Sequence, residues 1–116
     1  MMKKYKFKNC EHSYDETCDA IFIFFDKDGE YEVSEDIGTR QTFCVIDVDK
    51  KNNPLSIEFL DFSKIIKRDI DDIHKSLVVK EVILEPVIGY TIVTLDIIVN
   101  KKEFVVKLFD WSDDDV

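Results

Sequence analysis

The chain has 116 residues, 45% of them hydrophobic and nine of them Phe, which fits one globular domain with a modest core and no need of covalent staples. Sixteen Lys and Arg against 25 Asp and Glu leave a formal charge of −9; contact with a nucleic-acid backbone is thereby excluded as an expectation, since each phosphate neutralised needs a cation. Three Gly and two Pro exclude a long disordered stretch, and no apolar run reaches the roughly 18 residues of a membrane span.

Three cysteines without regular spacing fit reduced thiols, so the expected compartment is the cytoplasm. The charge is uneven. Lys3, Lys4, Lys6 and Lys8 open the chain, whereas ten acids between Glu11 and Asp36 face a single base, Lys27. A protein partner with a basic surface is the one such a stretch would meet, although the plainer role of acids is solubility.

In chain order, residues 4–8 alternate Lys with aromatics and read as a short edge strand whose lysines discourage further pairing. Residues 20–25 form a β-rich apolar run too short for a helix, expected as a central strand covered on both faces. It ends in DKDGE, where Asp28-Gly29 suits a tight turn, so residues 31–34 are expected to fold back against it. Residues 41–49 read as a third strand, the turn KKNNP follows, and residues 55–60 return with Ile57 and Phe59 alternating with Ser56 and Glu58. The first half is therefore expected to be a meander.

After Leu60 the period changes. Ile66, Ile70, Ile73 and Leu77 fall on one stripe of a helix over residues 63–77, with Asp61 or Ser63 able to cap its first turn. Residues 78–85 resume the strand period and stop at Pro86, Gly89 lets the chain reverse, and residues 90–99 and 104–109 complete the hairpins around the turn NKKE.

Five separated features carry a resemblance. They are Tyr14-Asp15; Asp19-Ala20 followed by Ile21-Phe22-Ile23; Val45-Ile46-Asp47-Val48-Asp49; a polar turn over residues 50–54; and Ile57-Glu58-Phe59-Leu60-Asp61 leading to Ser63. Arriving in this order, they resemble the DUF2283 family, small bacterial and phage domains of unknown function, over about residues 12–64. The chain departs from the pattern at Asn53-Pro54, where the family has Gly, and continues beyond it after the helix. The resemblance implies a compact antiparallel sheet with a helix, and it brings no established reaction.

Candidate sites are few. Cys10, His12, Cys18 and Cys44 offer ligand types that zinc accepts, but the C-x-H-x5-C spacing matches no standard finger and lacks the tight pair that fixes two ligands at once. A Cys–His nucleophile would need His12 or His74 brought to a thiol by the fold, and His74 sits near the apolar stripe as a packed boundary ring. Asp26 to Glu32 imitates a calcium loop for one turn, yet the twelfth position is Ile37, so a hairpin tip is the better reading. Asp47 and Asp49 would share a strand face as a conceivable acid–base pair.

These readings converge on an α+β fold: an antiparallel sheet made of an N-terminal meander and a C-terminal hairpin, with one amphipathic helix packed on one face. One domain is expected over residues 1–116, with the family-like meander at 12–64, the helix at 65–77 and the hairpin extension at 78–110. The expected function is a non-enzymatic acidic interaction protein of bacterial or phage origin, of inhibitor, antitoxin or immunity type. It would present Asp26, Asp28, Glu30, Glu32, Glu35 and Asp36 to a basic protein partner, with no cofactor, nucleic acid or membrane involved. The alternatives are a metal-binding module or metal-dependent enzyme built on Cys10, His12 and Cys18, and a homodimeric scaffold.

Overall fold

A computed structural model describes residues 3–26, 28–36, 43–88 and 90–109, with the side chains of all of these except Glu35, Asp36, Tyr90 and Phe109. The strands are β1 (Tyr5–Asp15), β2 (Ala20–Phe24), β3 (Val33–Asp36), β4 (Cys44–Val48), β5 (Pro54–Phe59), β6 (Val78–Val87), β7 (Tyr90–Val99) and β8 (Lys102–Phe109). Between β5 and β6 lie two short helices, α1 (Phe62–Ile66) and α2 (Ile70–Ser76). All eight strands form one antiparallel sheet in the order β3-β4-β5-β2-β1-β6-β7-β8. The chain is thus mostly sheet, and the α+β expectation holds only as an antiparallel sheet plus helix. Lys27, residues 37–42, Gly89 and the acidic tail 110–116 lie outside the described residues, so the expected strand start at Gln41 and the turn at Gly89 do too.

The strand over residues 4–8 is neither short nor at an edge. β1 runs for 11 residues in the middle of the sheet, pairing with β6 through Tyr5–Lys8 and Cys10 and with β2 from Glu11 to Asp15. Asn9 stands at the changeover with φ 53, a left-handed conformation that asparagine tolerates better than most residues. The inward parity of β1 shifts there, from Tyr5 and Phe7 to Cys10, His12 and Tyr14. Beside it, β6 carries an extra residue against β7 between Val79 and Glu81. Such irregularities bend strands and strengthen their twist.

The bend explains how one sheet makes one core. Ile21, Ile46 and Ile57 from the β2–β5 half and Val82, Leu95 and Ile97 from the β6–β8 half are all fully buried in a single cluster. A flat sheet could not bring these inward faces together, so the two halves fold toward each other about β1.

The first half is not a simple meander. β3 pairs with β4 and not with β2, which lies between β1 and β5. β3, β4 and β5 are consecutive neighbours, and β2 reaches β3 by a connection that crosses them, which is a Greek-key arrangement. Gly29 in that connection is closely packed: a Cβ there would overlap Leu55 Cδ2 unless that side chain shifted. β2 is also open on one face, because Ile21 and Ile23 are buried whereas Phe22 is 38% exposed. In the second half β6, β7 and β8 are successive neighbours, and β6 runs through Pro86, which pairs with Thr91 near the hairpin end.

The single expected helix is two. Lys67 adopts φ 58 and caps α1, while Arg68 N–H donates to Ser63 O at 3.1 Å, closing the turn in the manner of a Schellman end. The Arg68 guanidinium donates to Lys67 O at 2.9 Å and lies 4.3 Å from the Phe104 ring centroid, so it serves the helix end and covers β8 together. Ile66, Ile73 and Leu77 are buried as the stripe requires, but Ile70, first residue of α2, is 38% exposed. No helix among the described residues is long and apolar enough to cross a membrane.

Candidate functional site

Two sites grow from the acidic stretch between Glu11 and Asp36. The first is a polar knot at the β1–β2 turn. Asp15 Oδ1 accepts the N–H of Thr17 at 2.9 Å and of Cys18 at 3.3 Å, an Asx arrangement that closes the turn. Asp19 follows with φ 52 and is 9% exposed. Its carboxylate accepts Tyr14 O–H at 2.6 Å, Ser63 N–H at 2.9 Å and Ser63 Oγ–H at 2.6 Å, and its carbonyl accepts Phe62 N–H at 3.0 Å.

Asp19 is thus the N-terminal cap of α1, supplied from the distant β1–β2 turn. Asp61, the expected local cap, is left-handed and makes no side-chain cap bond, and Ser63 donates instead of accepting. Burial alone would raise the Asp19 pKa, but the bonds from Ser63 and Tyr14 outweigh it and hold the carboxyl below its ordinary value. The Tyr14 hydroxyl is raised by burial first and then by its bond to that carboxylate. Three ionisation-stabilising bonds around one carboxylate make a structural clasp between the two ends of the first half.

The second site lies where β1 parts from β2. Below Glu11 the two strands no longer pair, and a groove of about 560 Å³ opens between β1, from Lys6 to Glu11, and the segment that carries Phe24, Phe25, Asp26 and Asp28. Phe7 and Phe25 stack at 4.1 Å, bridging the gap between the diverging strands. The rims differ in charge: Lys6 and Lys8 stand on one side and Asp26 and Asp28 on the other. The basic opening of the chain and its acidic stretch, separate in sequence, meet here.

Of the residues expected to meet a partner, Asp26, Asp28, Glu30 and Glu32 are all exposed along the β2–β3 connection. Asp26 also holds the turn, since its Oδ1 accepts Asp28 N–H at 3.1 Å. Glu35 and Asp36 continue the line along β3, and their side chains lie outside the described residues.

The metal-ligand candidates are placed apart. Cys10 and His12 face the core from β1, where burial pushes the Cys10 thiol up to about 11, with Glu81 adding to the shift, and lowers the His12 pKa. Cys18 lies exposed in the turn, its thiol raised by the charge of Asp15. Cys44 is buried in β4, on the row Cys44, Phe59, Ile21, Tyr14, three strands and so roughly 14 Å from β1. Among the described residues no three His, Cys, Asp or Glu side chains form a metal-holding group.

His74 is exposed, with Nε2 3.8 Å from Glu16, and does not pack in the apolar stripe. Asp47 and Asp49 do not pair either. Asp47 accepts from Ser34 at 2.5 Å and Ser56 at 3.2 Å on the outer sheet face, whereas Asp49 ties the β4–β5 turn through Lys51 and Asn53 N–H groups, both at 2.9 Å. Sequence reasoning missed the outer neighbour of Asp47, Glu58, whose carboxyl is raised by burial and then by Asp47. Strand alternation put Glu58 on the wet face; the cross-strand register sets it opposite Val45 and so diagonal to Asp47, which stands opposite Ser56.

Residues 12–63 match the model of a family described as protein of unknown function (DUF2283). The match spans the clasp from Tyr14 to Ser63 and leaves β6, β7 and β8 outside it. No curated protein and no solved structure matches the chain.

Proposed function

We propose that this chain acts by binding, as a non-enzymatic acidic interaction protein that presents Asp26, Asp28, Glu30 and Glu32 to a basic surface of a protein partner. The observation that carries the reading is the exposure of all four acids in one connection beside a groove with an aromatic floor. Exposed carboxylates beside a largely polar groove with an aromatic stack in it supply orientation and a place for one apolar contact, as interfaces require. Lys6 and Lys8 on the opposite rim would select partners that carry an acid beside their basic site.

In this reading the chain belongs to the inhibitor, antitoxin or immunity type, for which occupying a basic site on another protein is the whole activity. The clasp at Asp19 serves that role indirectly, by fixing the turn and helix on which the first half of the sheet is hung.

The test is to isolate the partner from the native host and titrate it, purified, against the parent chain and against the variant D26N/D28N/E30Q/E32Q at low and high salt. The parent complex is expected to weaken as salt rises, and the variant to bind about tenfold or more weakly. Equal binding by parent and variant removes this face from the reading.

A further inference from the structure

The two edges of the sheet are chemically opposite. At one end β3 exposes Ser34 and carries Glu35 and Asp36 in sequence, so a second acidic strand would be repelled. At the other end β8 runs for eight residues and, among the described residues, has β7 as its only strand neighbour in the sheet order. Its outward residues alternate as Glu103, Val105 and Lys107, all exposed, and Val105 is 61% exposed. A long edge with a bare valine between two opposite charges is a template for pairing.

The pattern is its own complement. When two copies of one strand pair antiparallel, side chains that face each other must lie on the same sheet face, so the sum of facing residue numbers must be even. Centring on Phe104 sets Glu103 against Val105, and centring on Val106 sets Val105 against Lys107. Centring on Val105 sets Val105 against itself and Glu103 against Lys107 twice, once on each side of the axis. That register alone pairs opposite charges and buries the exposed valine.

A second observation points the same way. Lys80 Nζ lies 3.2 Å from both carboxylate oxygens of Glu103, and neighbouring Asp96 keeps Oδ1 buried without a hydrogen-bond partner among the described residues. The Asp96 carboxyl is raised by burial and then by Glu103. Two carboxyl groups therefore crowd one lysine at this edge, and Glu103, held below its ordinary value by Lys80 and then by Asp96, keeps the negative charge that a facing strand would meet.

We propose that β8 is a self-association edge on which a second copy of this chain docks as an antiparallel strand, Val105 facing Val105 and Glu103 facing Lys107. The Lys107 of each copy faces the Glu103 of the other and adds a cross-strand ion pair on either side of the axis. The interface is isologous, closes as a dimer and leaves both acidic connections free, so it stands whether or not those acids meet a partner. A strand pair buries less than the ~1,200 Å² of a standard interface, which makes the association weak, with a dissociation constant on the order of 100 µM.

Light scattering or sedimentation of the full chain from about 10 µM to 1 mM tests this range. The mean mass is expected to climb from 13.6 kDa toward twice that value. Lys107→Glu alone sets Glu against Glu, Glu103→Lys alone sets Lys against Lys, and each is expected to associate about tenfold more weakly. Mixing the two variants makes every facing pair opposite again, so the mixture is expected to associate where neither does alone. A chain monomeric at every concentration, or a mixture no tighter than its parts, overturns the proposal.

A second variant guards against misfolding at Glu103. Val105→Cys in a Cys18→Ser background places one thiol on the axis, and facing Cα atoms about 4.5–5.5 Å apart are within disulfide reach. Mild oxidation is expected to give a covalent dimer; failure to crosslink counts against the proposed register.

Discussion

Asp19 and Asp26 come from one acidic stretch and end in opposite physical states. Asp19 is 9% exposed and its carboxylate accepts three hydrogen bonds, two of them from Ser63, 44 residues away. Asp26 is exposed, and its carboxylate accepts one N–H, from Asp28. The first has given up its water for partners that hold the fold; the second keeps its water and its charge. Composition cannot separate them, because what separates them is the position of Ser63 after folding.

Breaking the clasp is the harshest test of this contrast. Asp19→Ala leaves the half-buried Ser63 N–H and Tyr14 hydroxyl without their acceptor, and should cost about 3 kcal/mol in urea denaturation. The folded pKa of Asp19 lies below its ordinary 3.8. Its contribution is therefore present at neutral pH and lost as pH falls below that value, so Asp19→Asn should flatten the stability curve in that acid range. Unchanged acid dependence would mean that Asp19 is not held ionised.

Gly29→Ala tests the opposite region at a crowded point. The added methyl meets Leu55, itself 6% exposed, and overpacking of this kind costs about 2 kcal/mol. Smaller again is Tyr14→Phe, which removes one bond to Asp19 and keeps the ring against Phe62; about 1.5 kcal/mol is expected, and it should shrink to near nothing in the Asp19→Ala background. Additive losses would show that Tyr14 acts by some route other than Asp19.

Much of the sheet is legible from alternation. Ile21 and Ile23, Ile46 and Val48, Ile57 and Phe59, and Val93, Leu95 and Ile97 sit inward as their period-two spacing demands. The DUF2283 features also mark the right residues, since Tyr14, Asp19 and Ser63 are the members of the clasp. What they do there is invisible without the fold, because the contact spans distant segments.

Three other features hide for related reasons. The full length of β1 is masked by the parity shift at Asn9, which makes two alternating stretches look unrelated. β3 pairs with β4 instead of the strand before it, a non-local choice that a turn motif cannot reveal. The helix breaks at Lys67, a lysine in a left-handed conformation usually left to glycine, so no punctuation mark warns of it.

The smallest effect is the one that most sharpens the comparison. Replacing Asp26, Asp28, Glu30 and Glu32 together by Asn and Gln removes four charges from exposed positions. Asn at position 26 can still accept the Asp28 amide that Asp26 accepts now, so the turn is kept. Among the described residues no buried group loses a partner, and relief of mutual repulsion offsets any lost solvation. The urea midpoint of this variant should therefore stay with that of the parent. A clear fall would show that these acids hold the fold as Asp19 does, and would erase the division between a carboxylate kept for structure and carboxylates kept for a partner.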